Sequence, residues 1–120
     1  MSRGVYVLVV HDPSIDAQAT CDALDALFIV REATTAFDAL ERLSGAPLAC
    51  VVCVVGGAIK GTDFLSLVAR AAPDQTARLV FLDDGDGDAG FVQGTGASWL
   101  PAGAPPSEIL AVVSAVSSRR

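Results

Sequence analysis

The sequence predicts a doubly wound α/β domain, a five-stranded parallel sheet in the order 2-1-3-4-5 with helices on both faces. Short apolar runs recur along the 120 residues and alternate with stretches of helical spacing, the pattern of repeated strand-helix-strand units. The runs are almost continuously apolar, as strands covered on both faces must be. Hydrophobic residues make up 52% of the chain and mean hydropathy is +0.50, yet no apolar run approaches the roughly 18 to 20 residues that span a bilayer. Residues 1–120 suit a single domain with its own core, standing alone or within a longer polypeptide.

Each element has a local reason. Residues 5–10 are a β-branched run and predict the first strand. Pro13 opens a segment in which Ile15, Ala19, Leu24 and Leu27 keep helical spacing. Residues 28–30 predict a short second strand and residues 36–43 a second helix, ended by Gly45 and Pro47. Residues 48–55 form the third predicted strand, and residues 62–71 the third helix, with Phe64, Leu65 and Val68 inward and Pro73-Asp74 as its stop. Residues 78–82 read as the fourth strand. Any fourth helix in the glycine-rich stretch that follows must be short, because glycine costs about 1 kcal/mol per helical position relative to alanine. That stretch is expected to be the most mobile. Residues 97–100 predict the fifth strand, residues 101–106 a loop, and Ser107 the cap of a last helix carrying Ile109, Leu110, Val113 and Val116. Five helices then alternate with five strands.

Charge and cysteine usage narrow the functions open to the chain. A net charge of −6 and a pI near 4.4, with basic residues scattered and paired only at Arg119-Arg120, oppose unaided nucleic-acid binding. The amino terminus has one basic residue and an apolar run of about six residues, shorter than a signal-peptide core of roughly 7 to 15. The expectation is a cytoplasmic protein with no membrane partner. Cys21, Cys50 and Cys53 form no even framework, and Cys50 and Cys53 should face opposite sides of a strand about 10 Å apart. They read as free thiols in a reducing compartment. The lack of asparagine points to coding bias and carries no function.

Four segments bear a resemblance. Val7-Leu8-Val9-Val10-His11-Asp12-Pro13 is similar to a first strand ending in an acidic pair, and Ala33-Thr34-Thr35-Ala36-Phe37-Asp38-Ala39-Leu40 to a second strand entering its helix. Gly61 opens the third helix with Leu65 in step, and Gly96-Ala97 leads into the fifth strand. Along essentially its full length the chain resembles the receiver domain of bacterial response regulators, a flavodoxin-like fold. In that family a phosphoacceptor aspartate stands eight positions before this glycine; here the position is Cys53. The resemblance implies chemistry that uses Mg²⁺ held by neighbouring carboxylates, a hydroxyl on the fourth strand, and a lysine that balances the phosphoryl charge.

The chain departs from that set throughout the pocket. No acidic residue lies between Glu41 and Asp63, and Lys60 is the only lysine. His11 replaces one member of the acidic pair, Asp83 falls at the hydroxyl position, and Ala102 or Gly103 occupies the lysine position. Asp12 alone survives. The resemblance therefore implies a degenerate pseudo-receiver: no enzyme, no cofactor and no bound metal. Its expected role is phosphorylation-independent signalling through a protein partner or self-association. The expected surface is the fourth helix, fifth strand and fifth helix, around Phe91, Trp99, Leu100 and Ile109.

Other readings of the same residues stay open. His11, Asp12, Cys53 and Asp83 could form a small-molecule or redox sensor in which His11 lowers the Cys53 pKa, or Cys53 could be an apolar filler. Asp12 or Asp83 could retain phosphorylation. His11, Asp12 and Cys53 lack the spacing of a transition-metal site, and Cys50-x-x-Cys53 lies on a strand rather than a helix amino terminus. Asp84-x-Asp86-x-Asp88 resembles a calcium loop, but Ala89 and Thr95 replace the turn glycine and the bidentate glutamate. Gly56, Gly57 and Lys60 could hold an anion on backbone N–H groups or simply connect strand to helix. Trp99 could face a partner or pack on the last helix.

Overall fold

Parallel strands β1 (Tyr6–Val10), β2 (Ile29–Ala33), β3 (Leu48–Val54), β4 (Leu79–Asp83) and β5 (Ser98–Pro101) hydrogen-bond in the order β2-β1-β3-β4-β5, as expected from the sequence. The structure, a computed structural model, describes residues 5–45, 48–83, 89–92 and 94–118, the side chains of residues 44, 45, 89 and 91 apart. Helices α1 (Gln18–Asp25), α2 (Ala36–Gly45), α3 (Gly61–Ala71) and α4 (Pro106–Ser117) cover the sheet.

The central strands explain the apolar runs. Successive side chains of β1 and β3 enter opposite cores. Val7, Val9, Cys50 and Val52 meet Leu24 of α1 and Ile109, Val113 and Val116 of α4. Leu8, Val10, Val51 and Cys53 meet Ala39 of α2 and Phe64, Leu65 and Val68 of α3. The three cysteines are free and buried, with Cys50 and Cys53 on opposite faces. Burying a side chain the size of Phe64 contributes about 1.5 to 3 kcal/mol, so helix periodicity follows from what each helix must cover.

Several boundaries differ from the sequence reading. Pro13 does not open α1. Ile15 N–H donates to the Asp12 carbonyl at 2.9 Å, and Asp16 Oδ1 accepts from Gln18 N–H at 3.0 Å, so a turn intervenes and the helix begins at Gln18. The second strand starts at Ile29 and runs on through Arg31 and Glu32 to Ala33. The third helix ends at Ala71 ahead of Pro73-Asp74, as read, and a 3₁₀ turn, Pro73–Arg78, that the sequence reading lacked follows it. Between β4 and β5 the described residues hold only a second 3₁₀ turn, Ala89–Val92. Four α-helices, rather than five, therefore stand among the described residues. The expected mobile segment falls largely on residues 84–88 and 93, which lie outside the description.

The last helix is also started differently. Ser107 is not its cap: Pro105 holds the cap position without a side-chain hydrogen bond, and Pro106 stands first in the helix. A proline there has no N–H to leave unsatisfied and its φ is already helical. Thr35 is the cap that composition did not reveal, its hydroxyl accepting from Asp38 N–H at 3.0 Å. Among the described residues no helix is long and apolar enough to cross a membrane.

Candidate functional site

Parallel sheets gather functional groups at the carboxyl ends of their strands, and four loops meet at that rim here. Asp12, just past β1, sits in an Asp-Pro-Ser turn. Its carboxylate accepts from Ser14 N–H at 3.0 Å and from the Ser14 hydroxyl, and it reaches across to Ala58 N–H at 3.3 Å. The Ser14 hydroxyl, then the Ser14 and Ala58 N–H groups and the nearby His11, hold its pKa below the usual carboxylate value.

The loop after β3 is built to receive that carboxylate. Gly56 and Ile59 exchange both backbone hydrogen bonds, at 2.9 and 3.0 Å. Gly57 stands first in the two-residue turn between them with φ +58, the left-handed position such turns reserve for glycine. A Cβ at Gly57 would lie 2.6 Å from Asp12 Oδ2, so the close approach also demands glycine. The N–H groups of Gly56, Ala58 and Ile59 are spent on Ile59, Asp12 and Gly56. Three of the loop's N–H groups thus donate inward, and Lys60 is an exposed residue ahead of α3.

His11 turns towards the sheet edge. Its Nε2 lies 2.8 Å from Glu32 Oε1, and its Nδ1 lies 3.1 Å from the Asp12 carbonyl oxygen. Both neighbours are acceptors, and only the imidazolium can donate to both. Burial alone would lower the His11 pKa, but the Glu32 hydrogen bond, the Asp12 carbonyl and the charges of both residues outweigh it, and the net shift is upward.

Cys53 is fully buried, 0% exposed, in the core under α3. Burial, reinforced by the charge of Asp83, pushes its thiol up to about 12. The expectation that His11 lowers this pKa is therefore corrected, because the ring points to β2 and the thiol is held neutral. Asp83 ends β4 in register with Pro101, and its carbonyl accepts from Ala102 N–H at 3.1 Å. Ala102 and Gly103 thus stand at the rim beside Asp83, both exposed and neither carrying charge.

Two of the four residues expected on an interaction surface are core residues. Leu100 is 7% exposed and Ile109 is 4% exposed, packed together under α1 and α4, so neither presents itself to a partner. The Phe91 side chain lies outside the description. Trp99 is half-buried and packs on the α2/α3 face, beside Val92 and Ala97. It does not pack on the last helix, which covers the opposite face. Its indole Nε1 is buried without a hydrogen-bond partner.

The residues do not fit a magnesium ion. Mg²⁺ needs a near-octahedral set of oxygens at close range. The rim offers the Asp12 carboxylate already engaged by three protein donors, the His11 ring beside it, Asp83 at the end of β4, and a buried thiol at the third position. Among the described residues no group of three or more His, Cys, Asp or Glu side chains could hold a metal. Asp84, Asp86 and Asp88 lie outside the description. A groove of about 300 Å³ lined by Val5, Leu27, Phe28, Ser114, Ser117 and Ser118 opens at the amino ends of β1 and β2, away from this rim.

Solved structures share this architecture. The chemotaxis response regulator CheY4 of Vibrio cholerae is 21% identical, with 93% of this chain and 98% of that one aligned and a TM-score of 0.75. The receiver domain of Francisella response regulator 1452 is 16% identical, over 97% of this chain and 98% of that one, with a TM-score of 0.79. A CheY-like response regulator receiver domain of Methanospirillum hungatei JF-1 is 16% identical over 94% and 93%, with a TM-score of 0.78. The fold is the flavodoxin-like fold of receiver domains. The sequence matches no protein-family model, and no curated protein matches it.

Two measurements check this geometry. Gly57 and Gly94 both have positive φ, but nothing lies within 4 Å of a Cβ at Gly94. Substitution G94A should cost about 1 kcal/mol for the left-handed backbone alone, and G57A at least about 1 kcal/mol more for the collision with Asp12; equal urea midpoints for the two would refute the close approach. The second concerns pH. With its folded pKa raised, His11 contributes stability that is full below the unfolded value of 6.5 and is lost as pH rises through the folded pKa. Urea midpoints should fall between about pH 6 and about pH 8, below the titration of the thiols, and E32Q should flatten that fall.

Proposed function

We propose that this domain is a phosphorylation-independent signalling module of two-component type, a pseudo-receiver that recognises a protein partner and catalyses no reaction. One observation carries the reading: the phosphoryl site is closed by the protein's own groups. Asp12 is saturated by Ser14 and Ala58, and the acceptor position is a neutral, fully buried thiol. A phosphoryl group arriving at this rim would meet Asp12 and Asp83 with no lysine at position 102 or 103 to balance its charge.

The likeness to receiver domains supports a two-component context, and the three buried free cysteines suit a reducing, cytoplasmic setting. The partner-facing surface is the β5 side, narrowed to the half-buried Trp99, while Leu100 and Ile109 pack in the core on the other face of the sheet. Aromatic residues are well suited to an interface. Redox sensing through Cys53 has no observation in its favour, since a thiol held near 12 is scarcely ionised at neutral pH.

Amide NMR of the labelled domain tests the reading. Addition of Mg²⁺ and then beryllofluoride, a phosphoryl mimic, should leave residues 10–13, 53–61 and Trp99 unmoved. Saturable shifts that spread from the rim to Trp99 would overturn it and restore a phosphorylation switch. A thiol reagent at about pH 8 should label Cys53 only as the chain unfolds; rapid labelling of the native domain would instead favour the sensor.

A further inference from the structure

The edge strand β2 is unlike the rest of the sheet. Its residues alternate in where their backbone groups point. Ile29 N–H donates to the Val5 carbonyl at 2.9 Å, and the Ala33 carbonyl accepts from His11 N–H at 3.0 Å, so residues 29, 31 and 33 face β1. The N–H and C=O groups of Val30 and Glu32 therefore point outward, along the edge where the sheet ends.

Such edges are normally guarded by charges projecting from the strand. Here both charges are engaged by β1 and its exit while staying exposed. The Arg31 guanidinium lies 5.2 Å from the centroid of the Tyr6 ring, and Glu32 is held by His11 at 2.8 Å. Apolar side chains stand out beside them: Leu27 just before the strand is 54% exposed, Ile29 on it 37%, and Phe37 in the first turn of α2 79%.

We propose that β2 is a self-association edge that pairs antiparallel with β2 of a second copy, joining the two sheets into one. A two-fold axis normal to the sheet keeps like faces together, and charge then selects the register. Centring on Arg31 sets guanidinium against guanidinium, and centring on Glu32 sets carboxylate against carboxylate, both unfavourable for directly opposed residues. Centring on Val30 opposes the two valines, whose outward groups exchange both hydrogen bonds. It also lays the stem of each Arg31 over Ile29 of the other copy. Antiparallel pairing brings the end carrying Phe37 alongside the end that carries Leu27 in the second copy.

The ladder is short, because Phe28 N–H is spent on the Leu24 carbonyl at 2.9 Å. The contact belongs to the small interfaces, below about 1,200 Å², that bind weakly. A dissociation constant on the order of 0.1 mM is expected.

Sedimentation velocity from about 10 μM to about 1 mM, paired with amide exchange, tests the proposal on the 120-residue chain. The wild type should shift towards dimer with concentration and gain protection at the Val30 and Glu32 amides. V30P removes an outward N–H without touching the bonds to β1 and should leave the chain monomeric. I29K sets an ammonium opposite the second copy's Arg31 and should abolish association, whereas I29E offers that guanidinium a partner and should retain it. The amide spectrum of each variant reports whether it folds; where V30P does not, the pair I29K and I29E decides alone. Monomer throughout the range, protection gained on β5 in place of β2, or equal effects of I29K and I29E would each overturn the proposal.

Discussion

Everything at the rim depends on β3 being buried on both faces to its last residues. Val51, Val52 and Cys53 have no exposed surface, and α3 closes over Cys53 through Phe64, Leu65 and Val68. An ionised carboxylate in that place would lose its hydration and need paired donors to offset a penalty of several kcal/mol. A neutral thiol fills the volume without that penalty.

Polar chemistry is consequently displaced from the sheet into the loops, where it is used up in joining them. Two adjacent residues do most of that work. Asp12 ties β1 to the turn that precedes α3, and His11 ties β1 to β2. When protonated, the His11 ring sits beside the Asp12 carboxylate and donates to its carbonyl oxygen, so the rim then carries an internal cation, which disappears when the ring deprotonates. The two clasps respond to opposite ends of the pH range: Asp12, with its lowered pKa, loses its contribution as pH falls through the folded value.

The parallel sheet and its central strands were legible because strands buried on both faces must be apolar throughout, and β1, β3 and β4 are; the strand order came with the receiver resemblance. The features that were not legible have physical reasons. β2 was cut short at Val30 because an edge strand tolerates Arg31 and Glu32, so hydropathy ends before the hydrogen bonding does. The start of α1 was misplaced because a proline that often opens a helix here belongs to a turn organised by Asp12. Ile109 and Leu100 read as surface because helix and strand patterns show periodicity without showing which face is covered. The His11–Glu32 pair joins residues 21 apart, a distance at which no local pattern operates. Gly56-Gly57 did carry a signal, and the structure shows a carboxylate of the chain approaching that turn.

A sheet with a sealed rim still has two ends. At one end β5 is short and presents Trp99, half-buried, with an indole N–H that the protein does not satisfy. At the other, β2 leaves backbone groups outward, with Arg31 and Glu32 exposed beside them. A ligand can change a domain only by binding two arrangements unequally. Strand pairing at the proposed β2 edge would bear on Glu32, whose carboxylate meets His11, the residue before Asp12.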